Sequence, residues 1–125
     1  MQILVVDDET DVRDLFQQRF RREIRSGELH FSFAFSGEEA LEFMRKHQSE
    51  VLIILSDINM PGMSGLELLG HVKKEFEMPP TTMMMITAYG DDDSYRQAMQ
   101  LGANDFLTKP VDFAVLKTKL LQLLA

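Results

Sequence analysis

The chain has 125 residues, no cysteine, and 20 acidic against 13 basic side chains, for a net charge of −7. That length suits one domain, here residues 1–125, able to bury a core without crosslinks, and without cysteine any metal must be held by oxygen or imidazole. The acidic balance argues against this domain gripping nucleic acid by itself, no stretch reaches the ~18 uninterrupted apolar residues of a membrane span, and no signal-peptide order follows Met1, so a soluble, cytoplasmic domain is expected.

The hydrophobic pattern alternates between strand-like and helix-like periods, the mark of an α/β parallel sheet. Residues 3–6 form a continuous apolar run, as in a strand covered on both faces. Val12, Leu15, Phe16, Phe20 and Ile24 then fall on one face of a helix that Gly27 stops. Leu29, Phe31, Phe33 and Phe35 alternate with His30, Ser32 and Ala34, which predicts a second strand at a sheet edge. Ser36 and Glu39 have the spacing of a capping box for the next helix, with Ala40, Leu41 and Met44 inward.

Residues 51–55 predict the third strand. Pro61, Gly62 and Gly65 mark a loop before a helix carrying Leu66, Leu69 and Val72. Pro79 and Pro80 introduce a fourth strand ending at Thr87. Asp91, Asp92 and Asp93 cap and charge the start of a helix containing Ala98, Met99 and Leu101, which Gly102 ends. Residues 106–108 make a short fifth strand. Asp112 opens the last helix, with Phe113, Leu116, Leu120 and Leu124 on one face, and the extra apolar Leu121 and Leu123 fit either a domain belonging to a longer protein or a helix end that docks on a partner or a second copy.

Four strand ends carry residues that phosphate chemistry uses: Asp7 and Asp8, Asp57, Thr87, and Lys109. In an open parallel sheet all of them converge on the carboxyl edge, where ligands bind. Three carboxylates in one cleft repel unless a cation holds them, and Mg²⁺ suits them because it takes few carboxylates and coordinates phosphoryl oxygens, with Mn²⁺ as a substitute. Asp57 is the best nucleophile, being a lone acid at the end of the most apolar strand. Asp7 and Asp8 read as metal ligands, Lys109 as the phosphoryl cation and Thr87 as a hydroxyl for a new phosphoryl oxygen.

The motifs Val5-Val6-Asp7-Asp8-Glu9, Ser56-Asp57-Ile58-Asn59-Met60-Pro61-Gly62-Met63-Ser64-Gly65, Ile86-Thr87-Ala88 and Phe106-Leu107-Thr108-Lys109-Pro110 occur in order along the whole chain. With them the chain resembles the receiver domain of two-component response regulators. The resemblance implies a flavodoxin-like, doubly wound (βα)5 sheet in order 2-1-3-4-5. It also implies that Asp57 accepts phosphoryl from a sensor histidine kinase or a phosphotransfer protein, in a signalling domain whose only chemistry is its own phosphorylation and dephosphorylation. It makes Asp8 a direct Mg²⁺ ligand with Asp7 close by or acting through water, and the backbone carbonyl of Asn59 a further one. It implies a cis Lys109–Pro110 bond, a switch running from Thr87 to Phe106, and an output domain or partner protein, with a homodimer as one outcome. Phe106 lacks a tyrosine hydroxyl, so the switch is read as a packing event. Asn59 and Tyr89 stand where relatives tune the acyl-phosphate lifetime; the amide favours water attack and the ring shields, so hydrolysis is expected to be intermediate.

Simpler readings exist for the single residues. Asp7, Asp8 and Glu9 alone would suit a solvated helix start, and the Met83, Met84, Met85 run is read as core filling. His30, His47 and His71 have no ligand spacing. Phe20 and Phe43 fit either core or partner contact. Three other functions compete: a phosphorylation-independent binding module of the same shape, an aspartyl phosphohydrolase and a flavin carrier. The hydrolase would need an acid where Asn59 stands, and the flavin carrier a glycine- and hydroxyl-rich loop where Asp-Asp-Glu stands.

Overall fold

The computed structural model describes residues 2–47, 50–77, 81–87 and 91–124. Pro79, Pro80, Ala88 and Tyr89, and the side chains of residues 51–52 and 123–124, lie outside the described residues. The elements run β1 (Gln2–Val6), α1 (Asp11–Arg19), α2 (Arg21–Arg25), β2 (His30–Ala34), α3 (Gly37–His47), β3 (Val51–Asp57), α4 (Gly65–Glu75), β4 (Thr82–Thr87), α5 (Asp92–Gln100), β5 (Asp105–Thr108) and α6 (Phe113–Leu124). All strand pairs are parallel and the order is β2-β1-β3-β4-β5. This is the doubly wound, flavodoxin-like sheet expected, with the β2 edge where the alternating pattern placed it.

Successive strand residues face opposite sides of the sheet, and the core divides accordingly. Leu4, Val6, Ile54, Met83 and Met85 pack under α3, α4 and α5, which contribute Met44, Leu68, Leu69, Val72 and Ala98. Ile3, Val5, Ile53, Leu55, Met84 and Ile86 pack under α1 and α6 through Phe16, Phe20, Leu116 and Leu120. Met83, Met84 and Met85 are fully buried, so the thioethers fill core, each contributing about 1.5–3 kcal/mol of apolar burial. Phe20 is likewise core, stacked on Phe16 at 5.9 Å, whereas Phe43 is partly buried beside the His47 ring at 4.6 Å.

One expected element differs. The predicted helix through Ile24 is two helices that break at Phe20, where φ is −109° and ψ 24°. Hydrogen bonding continues on both sides, Phe20 N–H to the Phe16 carbonyl at 3.0 Å and Ile24 N–H to Phe20 at 2.9 Å. The bend keeps the Phe20 ring on Phe31 at 5.1 Å as the chain turns toward β2. Leu15, placed inward by the periodicity, is 40% exposed because the chain turns it about 100° away from Phe16.

The caps follow residue chemistry. Ser36 Oγ accepts from Glu39 N–H at 3.0 Å, Asp91 caps α5 through Ser94 N–H at 3.1 Å, and Asp112 accepts from the Ala114 and Val115 amides. The full reciprocal capping box is at Ser64 and Glu67, on α4. Among the described residues no helix is long and apolar enough to cross a membrane.

Candidate functional site

Parallel strands bring four chain segments to one edge. β1 ends at Val6, and the next residue, Asp7, donates its backbone N–H to the Ala34 carbonyl at 3.1 Å, which ties it to the end of β2. Its Oδ1 accepts the Glu9 N–H at 2.9 Å, an Asx-type turn that aims the carboxylate over the sheet end. Asp8 beside it is exposed. Asp57 is the last residue of β3 and only 3% exposed. One carboxylate oxygen from each of Asp7, Asp8 and Asp57 lies within 4.8 Å of the others.

The loop after Asp57 is held against the backbone of Asp57 itself. Gly65 N–H donates to the Ile58 carbonyl at 2.8 Å, and a Cβ on Gly65 would lie 2.0 Å from the Asp57 carbonyl oxygen. Only glycine permits that approach. Asn59 is exposed, and its N–H reaches Asp57 Oδ1 at 3.4 Å. The other carboxylate oxygen, Oδ2, accepts from Lys109 Nζ at 2.9 Å.

Lys109 follows β5 directly, its backbone N–H donates to the Thr87 carbonyl at 2.8 Å, and the Lys109–Pro110 peptide is cis, as the resemblance implied. Burial by itself would push the ammonium down, but its hydrogen bond to Asp57 and the charges of Asp57, Asp7 and Glu9 overcome it and hold Lys109 above the usual lysine range. Asp7 is also raised, but for an acid that disfavours the charged form. Burial, aided by the Asp57 charge and opposed by the Glu9 amide and Lys109, raises its carboxyl above the usual aspartate range. A crowded acidic group that resists ionisation in the metal-free protein is what a hard divalent cation would relieve, so the oxygen donors present fit Mg²⁺.

Thr87 ends β4 and is 1% exposed, and its Oγ1 is buried with no hydrogen-bond partner among the described residues. A buried hydroxyl without a partner costs about 1–3 kcal/mol, so it fits a ligand oxygen arriving at this edge. Thr87 shares strand parity with Met83 and Met85, which places its side chain on the α3–α4–α5 face. Phe106 packs on that same face, and its register partner is Met85, one strand repeat before Thr87. The two residues therefore share a face without being directly opposite.

Every strand-end residue singled out in the sequence thus reaches the edge, while Tyr89 lies outside the described residues. Sequence reasoning missed three contributors. Gly65 marks a loop and closes a motif in the sequence, but neither reveals its close approach to the Asp57 backbone, and the Glu9 amide is a backbone group. Tyr95 on α5 meets the Phe106 ring edge-on, centroids 4.7 Å apart at 81°, and is 43% exposed; its signal was an aromatic on an otherwise polar helix.

A family model described as the response regulator receiver domain matches residues 3–121, and the chain belongs to that family. The response regulator protein PilR of Pseudomonas aeruginosa is 38% identical over 117 residues, which cover 91% of this chain and 24% of PilR. An uncharacterized 14.6 kDa protein of Leptolyngbya boryana is 38% identical over 112 residues, 90% of this chain and 81% of that protein. The response regulator protein TrrA of Thermotoga maritima, solved in complex with Mg²⁺-BeF, is 31% identical with a TM-score of 0.78, covering 98% of this chain and 97% of that one. The chain therefore spans almost all of some relatives and about a quarter of PilR.

Proposed function

We propose that residues 1–125 act as a phosphorelay receiver in which Asp57 accepts the phosphoryl group and Thr87 and Phe106 carry the signal to a surface. The observation that supports it most is the environment of the buried Asp57 carboxylate, bonded to Lys109 on one oxygen and clustered with Asp7 and Asp8. A carboxylate with a cation on one side and a metal-type donor set on the other is arranged for phosphoryl transfer, which depends on positioning and charge neutralisation.

An Asp57 carboxylate oxygen attacks phosphorus. The bond from phosphorus to the donor breaks, to imidazole nitrogen in a phosphohistidine or to the acyl oxygen in acetyl phosphate, and its electron pair leaves with the donor. Lys109 follows the transferred charge from the carboxylate to a phosphoryl oxygen, and the Thr87 hydroxyl gains the partner it lacks. Asp7, Asp8, Asp57 and the Asn59 backbone carbonyl would hold Mg²⁺, or Mn²⁺ in its place, which when bound would supply positive charge to the phosphoryl group. Hydrolysis then returns Asp57 and phosphate, with Asn59 and Tyr89 setting the lifetime; Tyr89→Ala is expected to hydrolyse faster.

The Mg²⁺-BeF complex of TrrA supports the metal assignment. The donor proposed is a sensor histidine kinase or phosphotransfer protein in the cytoplasm, and the output is another domain or protein, or a second copy, without nucleic-acid binding by this domain. Phe106 switches by repacking beneath Tyr95, so Phe106→Ala should abolish the phosphorylation-dependent change in partner binding. Incubation with Mg²⁺ and acetyl phosphate followed by intact mass tests the core of the proposal. A single phosphoryl adduct that disappears in Asp57→Asn is expected; no adduct, or one that survives the substitution, rejects it.

A further inference from the structure

The net charge of −7 hides a strongly basic spot. Four of the chain's seven arginines, Arg19, Arg21, Arg22 and Arg25, fall at the end of α1 and along α2. With Lys117 of α6 and Glu23 they line a cleft of about 730 Å³. Five cations against one acid leave a local excess of four positive charges. α1 begins at the phosphoryl edge and returns along the sheet, and α2 leads into the start of β2, so the cleft belongs to the opposite end of the α1–α6 layer.

The single acid does not neutralise the arginines. Glu23 is 4% exposed and receives Lys117 Nζ at 2.7 Å, and that hydrogen bond holds its carboxyl below the usual range. The pair anchors α2 to α6 and forms one wall. Arg19 lies over the Phe113 ring, 5.5 Å from its centroid, which stiffens it and leaves its N–H groups available. Arg21, Arg22 and Arg25 are exposed and have no carboxylate at ion-pair distance among the described residues. They stand three and four residues apart on one short helix, the spacing at which like charges repel.

Such an arrangement is unfavourable until an anion enters it. Arginine forks match phosphate oxygens two at a time, and a concave cleft favours a compact ligand over a flat surface. We propose that this cleft is a binding site for a soluble ligand bearing two or more linked phosphates, remote from Asp57. The source can be a nucleoside polyphosphate or an inorganic chain.

The test is calorimetric titration of the intact chain with sodium tripolyphosphate in EDTA, so that no divalent metal recruits the ligand to the acidic edge. Saturable 1:1 binding that weakens with added salt is expected, together with backbone amide shifts at residues 19–26 and 117 instead of residues 7–9, 57 and 109. Arg21→Gln/Arg25→Gln should weaken binding about tenfold or more, whereas Lys46→Gln, which removes one charge on exposed α3, should leave it unchanged. ATP binding more tightly than tripolyphosphate assigns the site to a nucleoside; equal or weaker ATP binding assigns it to the phosphate chain. The proposal is overturned by no saturation at millimolar ligand, by shifts that map to the acidic edge, or by equal losses in the two variants. It is also overturned if only vesicles containing phosphatidylglycerol bind. The amide shifts need no substitution, so the result stands even if the double variant misfolds.

Discussion

The Lys109 ammonium donates to Asp57 Oδ2 at 2.9 Å while the Lys109 backbone N–H is anchored to Thr87 at 2.8 Å, so one residue links the ends of three strands. Its side chain is 37% exposed, and truncation should leave the fold intact while removing the cation proposed to neutralise the transferred group. Lys109→Ala is expected to slow adduct formation from Mg²⁺ and acetyl phosphate by about 100-fold. A mass-resolved time course measures it, and a loss smaller than about threefold would argue that Lys109 does not touch the phosphoryl group.

Asp7 links the site to stability. A carboxyl held above its ordinary 3.8 is one that the folded chain protonates more readily than the unfolded chain does. Ionised Asp7 therefore destabilises the metal-free fold, with the cost developing between 3.8 and the raised value and constant above it. In EDTA at pH 7, Asp7→Asn should raise Tm by about 2–4 °C, and the difference from wild type should shrink as pH falls toward 3.8. Added Mg²⁺ should stabilise the wild type and not the variant. Calorimetric scans in EDTA and in Mg²⁺ check both parts; a lower Tm for Asp7→Asn in EDTA would contradict the repulsion argument.

The Thr87 hydroxyl makes the parallel case for a neutral group. Thr87→Val preserves shape and removes a buried oxygen that lacks a partner, so urea unfolding should show a gain of about 1 kcal/mol in the unphosphorylated protein. The adduct should still form, while binding of the phosphorylated protein to its partner reverts toward the unphosphorylated level. Destabilisation by Thr87→Val would mean that the hydroxyl is bonded in the resting state.

These residues were legible in the sequence because a parallel sheet turns strand order into spatial order. Once residues 3–6, 51–55, 83–86 and 106–108 read as buried strands, Asp7, Asp57, Thr87 and Lys109 had to share an edge. Backbone approach and local bending are not encoded in hydrophobic period. The break at Phe20 interrupts a face whose spacing is still helical, and the Tyr95 ring meets Phe106 through the way α5 folds back onto the next strand, β5, which residue spacing does not specify. The arginine cleft was concealed for another reason, since a chain-wide charge sum averages away a local excess.

Gly65 shows how backbone approach sets the site. A Cβ there would lie 2.0 Å from the Asp57 carbonyl oxygen and 2.7 Å from Ile58 Cα, both rigid backbone atoms. Gly65→Ala must therefore push the α4 start away from the β3 end, at a cost of roughly 2–3 kcal/mol, and displace the Asn59 carbonyl with it. Expected outcomes are a lower urea midpoint and weaker Mg²⁺ binding in the same variant. Unchanged Mg²⁺ affinity in a folded Gly65→Ala protein would detach this loop from the metal role given to it.

The Glu23–Lys117 pair can be separated from phosphoryl chemistry through its pH dependence. Glu23 is buried, its carboxyl is held below the ordinary 4.5 mainly by the Lys117 hydrogen bond, and Lys117 is 43% exposed. A depressed acid contributes stability that is fully present above its unfolded value and is lost as pH falls through the folded one. Lys117→Ala leaves a buried carboxylate without its cation and should cost roughly 1–3 kcal/mol at pH 7, toward the lower end because the lysine is half in solvent. The gap between wild type and variant should close as the pH is taken below 4.5, where protonated Glu23 no longer needs the ammonium. Adding Glu23→Gln to Lys117→Ala should recover part of the loss at pH 7, since an amide is less costly to bury than an unpaired charge. Urea unfolding of the three proteins at pH 7 and at about pH 4 measures the cycle, and a gap that stays constant with pH would show that Lys117 stabilises through packing of its alkyl stem instead of its charge.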